Sequence, residues 1–197
     1  MIFIKTIAID IDDTVCDTSN YLMKYAIEFD REHNGKGIVN PNINLPRCFN
    51  WSAEQTKEFL DTIFDKYVDE VPPVLNAVEC INSLKAAGHK IIFVSSRSDN
   101  QMKNPYERTL AWLKKNNFQF DKLIVKAKYK GPVIEEEGAN VFIDDSVGQT
   151  TYVSDYYDIN VILFSNTKEI YNNIVVINTW NKILEHISGM PTKDVIY

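Results

Sequence analysis

Apolar positions along the chain fall into short β-branched runs separated by amphipathic stretches. The first run, Ile2 to Ile9, stops at Asp10 and predicts a strand buried on both faces, as in a parallel sheet. From Asp17 to Asn34 the period becomes helical, with Tyr21, Leu22, Tyr25, Ala26 and Phe29 on one stripe and Gly35 at the helix end. Gly35 to Asn50 mixes glycine, proline and asparagine, which predicts a loop. Ser52 and Gln55 then have the spacing of a capping box for a helix reaching about Val68, and Pro72-Pro73 closes the block.

After the prolines the rhythm changes. A helix over Val74 to Ala87, ended by Gly88, leads into a strand at Lys90 to Val94. Asn104-Pro105 with Glu107 predicts a capped helix ahead of a strand at Lys122 to Val125. A short helix around Pro132 to Glu137, ended by Gly138, precedes a strand at Asn140 to Ile143. One more helical stretch precedes Asn160 to Phe164, and the last helix spans Thr179 to Ser188. Strands alternating with helices predict an α/β fold with a doubly wound parallel sheet. The helical block interrupts that alternation, so residues 16–73 read as a small helical cap inserted after the first strand, and residues 1–15 and 74–197 as the core domain.

Composition narrows the function classes. A chain of 197 residues, 45% hydrophobic and 12% aromatic, can bury a sizeable core. Its net charge of -6 argues against a nucleic-acid polymer as partner, since phosphate backbones select basic faces. It leaves room for a small phosphorylated ligand held through a metal ion. No apolar run approaches the roughly 20 residues that span a bilayer, so no membrane partner is expected. The start, Met1-Ile2-Phe3-Ile4-Lys5, lacks the basic and long apolar regions of a signal peptide, and the expected location is the cytoplasm. Cys16, Cys48 and Cys80 are odd in number and form no CxxC, which implies neither a disulfide framework nor a zinc site.

In an open α/β sheet, ligands bind beyond the carboxyl ends of the strands. There the apolar runs deliver Asp10-Ile11-Asp12-Asp13-Thr14, Ser95-Ser96-Arg97 and Asp144-Asp145-Ser146. Carboxylates gathered in one crevice repel one another unless some are protonated or a cation sits among them, and oxygen donors at this density suit Mg²⁺. A single Asp after a strand is more simply a helix N-cap. Two acidic clusters and a hydroxyl pair, each abutting a buried strand, are not.

Those residues carry a resemblance. Asp10-x-Asp12-x-Thr14-Val15 resembles the first motif of the haloacid dehalogenase (HAD) superfamily of phosphohydrolases. Ser95 resembles its second motif, and Asp144-Asp145 after Val-Phe-Ile its fourth. The likeness covers residues 1–15 and 74–165, and the insertion sits where that family places a helical cap. It implies a HAD-like, Rossmann-like core. Ser95-Ser96-Arg97, the Phe-Ile-Asp-Asp-Ser phrase and the late Asn178-Thr179-Trp180-Asn181 are similar to the 5'(3')-deoxyribonucleotidase and nucleotidase branch.

The resemblance implies that Asp10 is a nucleophile forming an aspartyl-phosphate and that Asp12 is the general acid and base. It implies Mg²⁺ held by Asp10, the Asp12 backbone carbonyl and Asp144, with Asp145 behind them, and Ser95 and Ser96 on phosphoryl oxygens. The third motif is a lysine, for which Lys126, Lys128 and Lys130 compete. Lys130 is favoured because Gly131-Pro132 follows it at a helix start. Two departures stand out. Asp13 occupies a position where the family often has glycine, so a turn with positive φ would be strained there. Thr18 stands where the deoxyribonucleotidases carry an aromatic that packs on the base.

Tyr21, Phe49 and Trp51 are the remaining candidates for a stacking face from the cap, although aromatics in small helical caps more often form their core. Arg97 either contacts phosphate or pairs with an acidic neighbour, and Cys16 reads as a buried bystander. The expected activity is that of a Mg²⁺-dependent phosphoric monoester hydrolase, a nucleotidase acting on nucleoside monophosphates, with homodimerisation left open. The alternatives are a phosphatase of sugar phosphates or another small metabolite, and, from another class, a non-catalytic phospho-accepting or binding module.

Overall fold

The computed structural model describes residues 4–43 and 45–190. Its sheet has six parallel strands, β1 (Thr6–Ile9), β2 (Lys90–Val94), β3 (Lys122–Ile124), β4 (Val141–Asp144), β5 (Asn160–Phe164) and β6 (Ile174–Ile177), in the order β3-β2-β1-β4-β5-β6. β1 lies between β2 and β4, with Ile7 in register with Ile91 on one side and Val141 on the other. The first strand is shorter than its apolar run, starting at Thr6, and Ile2 lies outside the described residues. β6 is an addition to the predicted set.

Because successive side chains point to opposite faces, each central strand feeds two cores. Ile7, Ile9, Ile91, Phe93, Val141 and Ile143 pack one face. Helices α4 (Ala77–Ala86), α5 (Pro105–Lys115) and α8 (Trp180–Gly189) cover that face through Leu84, Trp112, Trp180 and Ile183. Ala8, Ile92, Val94, Phe142 and Leu163 pack the other face, under α6 (Lys130–Glu136) and α7 (Val147–Tyr156) through Ile134 and Val153. A sheet buried on both faces explains why its strands read as continuous apolar runs. The α5 start differs from expectation. Pro105 does occupy the first turn, but Asn104 is left-handed (φ 50°) and makes no side-chain cap, so the capping box does not form.

The chain leaves the core after Cys16 and returns at Pro73, and the two crossings run side by side. Asp17 N–H donates to Pro72 O (3.0 Å) and Val74 N–H to Val15 O (2.9 Å). Between them lie α1 (Thr18–Glu32), α2 (Ala53–Glu58) with both capping-box hydrogen bonds of Ser52 and Gln55 in place, and α3 (Asp65–Tyr67). A wide π-helical stretch, Phe59–Phe64, joins α2 to α3, so the helical path expected to Val68 is continuous but not one α-helix. Ala26, Phe29, Cys48, Phe49 and Phe59 form a separate core here, with Trp51 packed on it. Phe49 and Trp51 stack on each other at 4.5 Å, and the Trp51 indole donates to Asp30 (2.7 Å). Phe49 is thus buried and Trp51 partly buried against the insertion's own core, a packing role that accounts for both aromatics without a substrate. An insertion this small needs its largest side chains to build any core at all.

Gly35 is required by closeness rather than by backbone angle, since a Cβ there would lie 2.0 Å from the Asp30 carboxylate. Arg108 from α5 pairs with Asp65 and Asp69 and ties the end of the insertion to the core. All three cysteines are free and buried. Among the described residues, no helix is long and apolar enough to cross a membrane.

Candidate active site at the carboxyl ends of the strands

The site is built from the loops leaving β1, β2 and β4. Asp10 extends the β1–β4 ladder through Asp10 N–H to Ile143 O (2.9 Å). The chain then folds back, with Val15 and Cys16 N–H both donating to Ile11 O (3.0 and 2.9 Å). That reversal puts Asp13 at φ 59°, the strained angle anticipated for this position. Its carboxylate offsets the strain by accepting from both the backbone N–H and the hydroxyl of Ser19. Asp is also among the residues that tolerate this region best. From the last helix, the buried Trp180 indole donates to Thr14 O (2.9 Å), so the late Asn-Thr-Trp-Asn phrase serves to pin the loop.

Asp10, Asp144 and Asp145 converge, each offering a carboxylate oxygen within 4.8 Å of the others. Asp10 and Asp144 are buried, and Asp145 is half-buried. Ser146, not either aspartate, caps α7 by accepting from Gln149 N–H, which leaves both aspartates to the crevice. Asp144 is fixed by Ser146 N–H (2.7 Å) and Asp145 by the Thr14 hydroxyl (3.4 Å). Burial, followed by the charges of Asp10, Asp144 and Asp13, pushes Asp145 up to about 9. Burial likewise pushes Asp10 up to about 7, with Lys130 pulling down and Asp144 and Asp12 pushing up. The crevice thus holds more negative charge than its own lysine relieves. Oxygen-only donors in that state fit a hard divalent cation such as Mg²⁺.

Of the three lysines, only Lys130 enters the crevice. Its ammonium, 3% exposed, bridges Asp10 and Asp144, the latter at 2.6 Å. Burial opposes its charge, but the two carboxylates more than compensate and raise its pKa. The helix start that carries it comes close to α7, and a Cβ on Gly131 would lie 2.3 Å from the Tyr157 ring. Lys126 instead pairs with Asp99 (2.6 Å) at the surface, and the Lys128 ammonium sits 5.5 Å from the Tyr129 ring centroid.

Ser95 is fully buried one position past β2, where its Oγ accepts from Arg97 N–H (3.1 Å), and Ser96 is exposed. Asp12 is not one of the converging trio and is held by other partners. Its Oδ2 accepts from Arg97 Nε and its Oδ1 from Arg97 Nη2, both at 2.8 Å, while the Thr18 hydroxyl donates to Oδ1 at 2.7 Å. Burial raises Asp12, but the Arg97 charge and hydrogen bonds and the Thr18 hydroxyl outweigh it and hold it below the usual carboxylate range. Cys16 lies against this pair, 3.6 Å from Arg97 Nη2, and burial pushes its thiol up to about 12, which leaves it inert.

Tyr21 lies at the junction of insertion and core, half-buried, with its hydroxyl 3.4 Å from Glu70. Beside Asp145 a cavity of about 490 Å³ opens, lined by Asp13, Asn20, Leu75, Phe164, Asn166 and Asn178 among others. Sequence reasoning missed the Arg97–Asp12–Thr18 contact as a unit. The available signal was an arginine two residues beyond Ser95.

No protein-family model matches the sequence, and no curated relative matches it either. Solved structures do match by fold. A predicted phosphoglycolate phosphatase from Haemophilus somnus superposes with a TM-score of 0.64 at 13% identity, over 93% of this chain and 97% of that one. A HAD-superfamily hydrolase from Geobacter sulfurreducens gives 0.61 at 11% identity, over 93% and 96%. A protein described as a HAD hydrolase from Bacillus subtilis, bound to magnesium, gives 0.59 at 14%, over 95% and 99%. At these identities the likeness is one of architecture, and it assigns to this chain the HAD-like α/β fold.

Proposed function

We propose that the chain is a Mg²⁺-dependent phosphoric monoester hydrolase working through an aspartyl-phosphate. The observation that carries this reading is the convergence of Asp10, Asp144 and Asp145 around Lys130 at the ends of β1 and β4. Phosphate esters resist attack because their oxygens are anionic, so a catalyst must neutralise charge and place a nucleophile in line.

Asp10, Asp144 and the Asp12 carbonyl would hold Mg²⁺, with Asp145 supporting it. Bound there, the ion would offset phosphoryl charge as a Lewis acid. Lys130 adds a second positive charge, and Ser95 and Ser96 donate to phosphoryl oxygens. An Asp10 oxygen attacks phosphorus as the ester P–O bond breaks, and the leaving oxygen takes the bond pair and the proton of the monoanionic ester, relayed through Asp12, whose ionised resting form Arg97 and Thr18 favour. Water then attacks the same phosphorus and gives its proton to Asp12, which passes it to the departing phosphate. The Asp10–phosphorus bond breaks, releasing inorganic phosphate and restoring the carboxylate.

Within this class we assign nucleoside monophosphates as substrates, on the motif resemblance. A second reading, a small metabolite phosphate of the kind named for the Haemophilus protein, is favoured by one specific observation. Phe49 and Trp51 are spent on the insertion's core, and Thr18 stands in place of a base-packing aromatic. The amide- and hydroxyl-lined cavity beside Asp145 suits a hydroxyl-bearing leaving group in either case.

The test is phosphate release with Mg²⁺ from nucleoside 5'- and 3'-monophosphates, sugar phosphates, phosphoglycolate and an aryl phosphate, beside Asp10→Asn and EDTA controls. Turnover should fall at least about a thousandfold in Asp10→Asn and stop on chelation. Selective turnover of nucleotides supports the first substrate reading, and turnover of small phosphates alone supports the second. Activity that survives either control removes the mechanism.

A further inference from the structure

The least expected geometry in the crevice is the fixing of Asp12. An ionised carboxylate offers about four lone-pair positions. Three are occupied here, two on Oδ1 by Arg97 Nη2 and the Thr18 hydroxyl and one on Oδ2 by Arg97 Nε. The clamp is itself held. Arg97 is 2% exposed, its Nη1 donates to the Thr109 hydroxyl on α5 (3.2 Å), and its backbone carbonyl accepts from Lys126 N–H (3.0 Å). Thr18 is the first residue of α1, so the helix entering the insertion and the loop after β2 grip one carboxylate from two sides.

We propose that Arg97 and Thr18 are positioning residues that hold Asp12 in one orientation, leaving a single free position on Oδ2 as the place where its proton is taken up and released. The proposal rests on the phosphohydrolase reading above and adds to it two residues and one atom. A guanidinium fork suits the task because it fixes both oxygens of a carboxylate at once, which an ammonium cannot do. Asp12 lies inside the tight reversal closed on Ile11 O, and the fork together with the Thr18 hydroxyl fixes which way its side chain points.

The leaving oxygen of an alkyl ester needs a proton as its bond breaks, whereas that of p-nitrophenyl phosphate does not. Loss of positioning should therefore show as a difference between the two esters. Thr18→Val keeps the side-chain shape and removes the hydroxyl. It should lower kcat for alkyl phosphates about tenfold with KM unchanged, and much less for p-nitrophenyl phosphate, while Thr18→Ser restores kcat. Arg97→Lys keeps the charge and removes the fork, and should cost about a hundredfold on the alkyl ester.

The clamp is also readable without substrate. The Arg97 Nε–H signal in NMR should exchange slowly with water in the intact chain and quickly in Asp12→Ala. Equal losses on both esters, a change in KM alone, or a fast-exchanging Nε–H in the intact chain overturns the proposal. A protected Nε–H in a protein that hydrolyses no ester supports the clamp and discards the phosphohydrolase reading instead.

Discussion

The strand ends and the helical insertion both bury charge, and they do so in opposite ways. At the strand ends Asp10, Asp12 and Asp144 are satisfied by two buried cations, Lys130 and Arg97, and Asp145, pushed up to about 9 by burial and its acidic neighbours, is a carboxyl more than those cations pair. In the insertion the buried Asp30 is met by neutral donors, the Trp51 indole (2.7 Å) and Gly37 N–H (2.8 Å). Neutral donors stabilise a carboxylate without creating a field, so Asp30 is an anchor. Paired ions with a surplus make a poised site that a cation and an anionic substrate can complete. Burial of an acid is therefore a poor marker of function by itself, and the sign and surplus of its surroundings mark it better.

The largest effect that separates the two regions should come from Lys130→Met. Removing one partner of a buried ion network strands Asp10 and Asp144, at a cost of about 3–5 kcal/mol in chemical denaturation. Phosphate release should fall with it. Millimolar Mg²⁺ should recover part of the stability, because an ion that binds only the folded chain stabilises it by mass action. If the lost stability returns with an inert monovalent salt instead, the acidic trio is not a specific cation site.

Much of the core site was legible because sheet geometry makes it so. Once Ile7–Ile9, Ile91–Val94 and Val141–Ile143 are read as buried parallel strands, Asp10, Ser95 and Asp144 must emerge at one edge, and Lys130 follows at the next helix start. β6 was harder to see. At four residues Ile174–Ile177 is as long as β1 and β4, but with Val175 exposed it lacks their continuous burial. The Arg97–Asp12 pair joins residues 85 positions apart, and no local pattern encodes which acid an arginine will reach. The insertion was legible as helices but not as a surface. In the sequence its aromatics fit a substrate face and a private core equally well, and only the packing shows that Phe49 and Trp51 join one core.

A smaller effect should come from Asp30→Ala, which leaves the Trp51 indole and Gly37 N–H without their acceptor. Each orphaned donor costs about 1–3 kcal/mol, so the insertion should loosen, with faster hydrogen exchange at 37 and 51. The kcat of the folded fraction should stay as in the parent. A fall in kcat with no loss of stability would move Asp30 from anchor to substrate contact and erase the contrast between the regions.

The smallest effect tests a titratable group buried away from the crevice. His89, before β2, accepts the Lys5 backbone N–H at Nδ1 (3.0 Å), and burial, then the Lys5 charge, lowers its pKa from 6.5. Folding thus favours the neutral ring. That contribution is intact above about pH 6.5 and is lost as pH falls through the lower folded value. The raised carboxyls of Asp10 and Asp145 act with the opposite sign, since they bind protons more readily when folded and add stability on acidification. Net pH dependence in the parent chain therefore mixes the two, and the difference between parent and His89→Gln isolates the histidine. Between pH 7 and pH 5 the denaturation free energy of the parent should fall relative to that of the variant. The ring that accepts at Nδ1 already carries its proton on Nε2 and can gain another only at Nδ1, so parallel curves would mean that the Lys5 hydrogen bond is absent in solution. That result would leave acid sensitivity confined to the carboxyl end of the sheet.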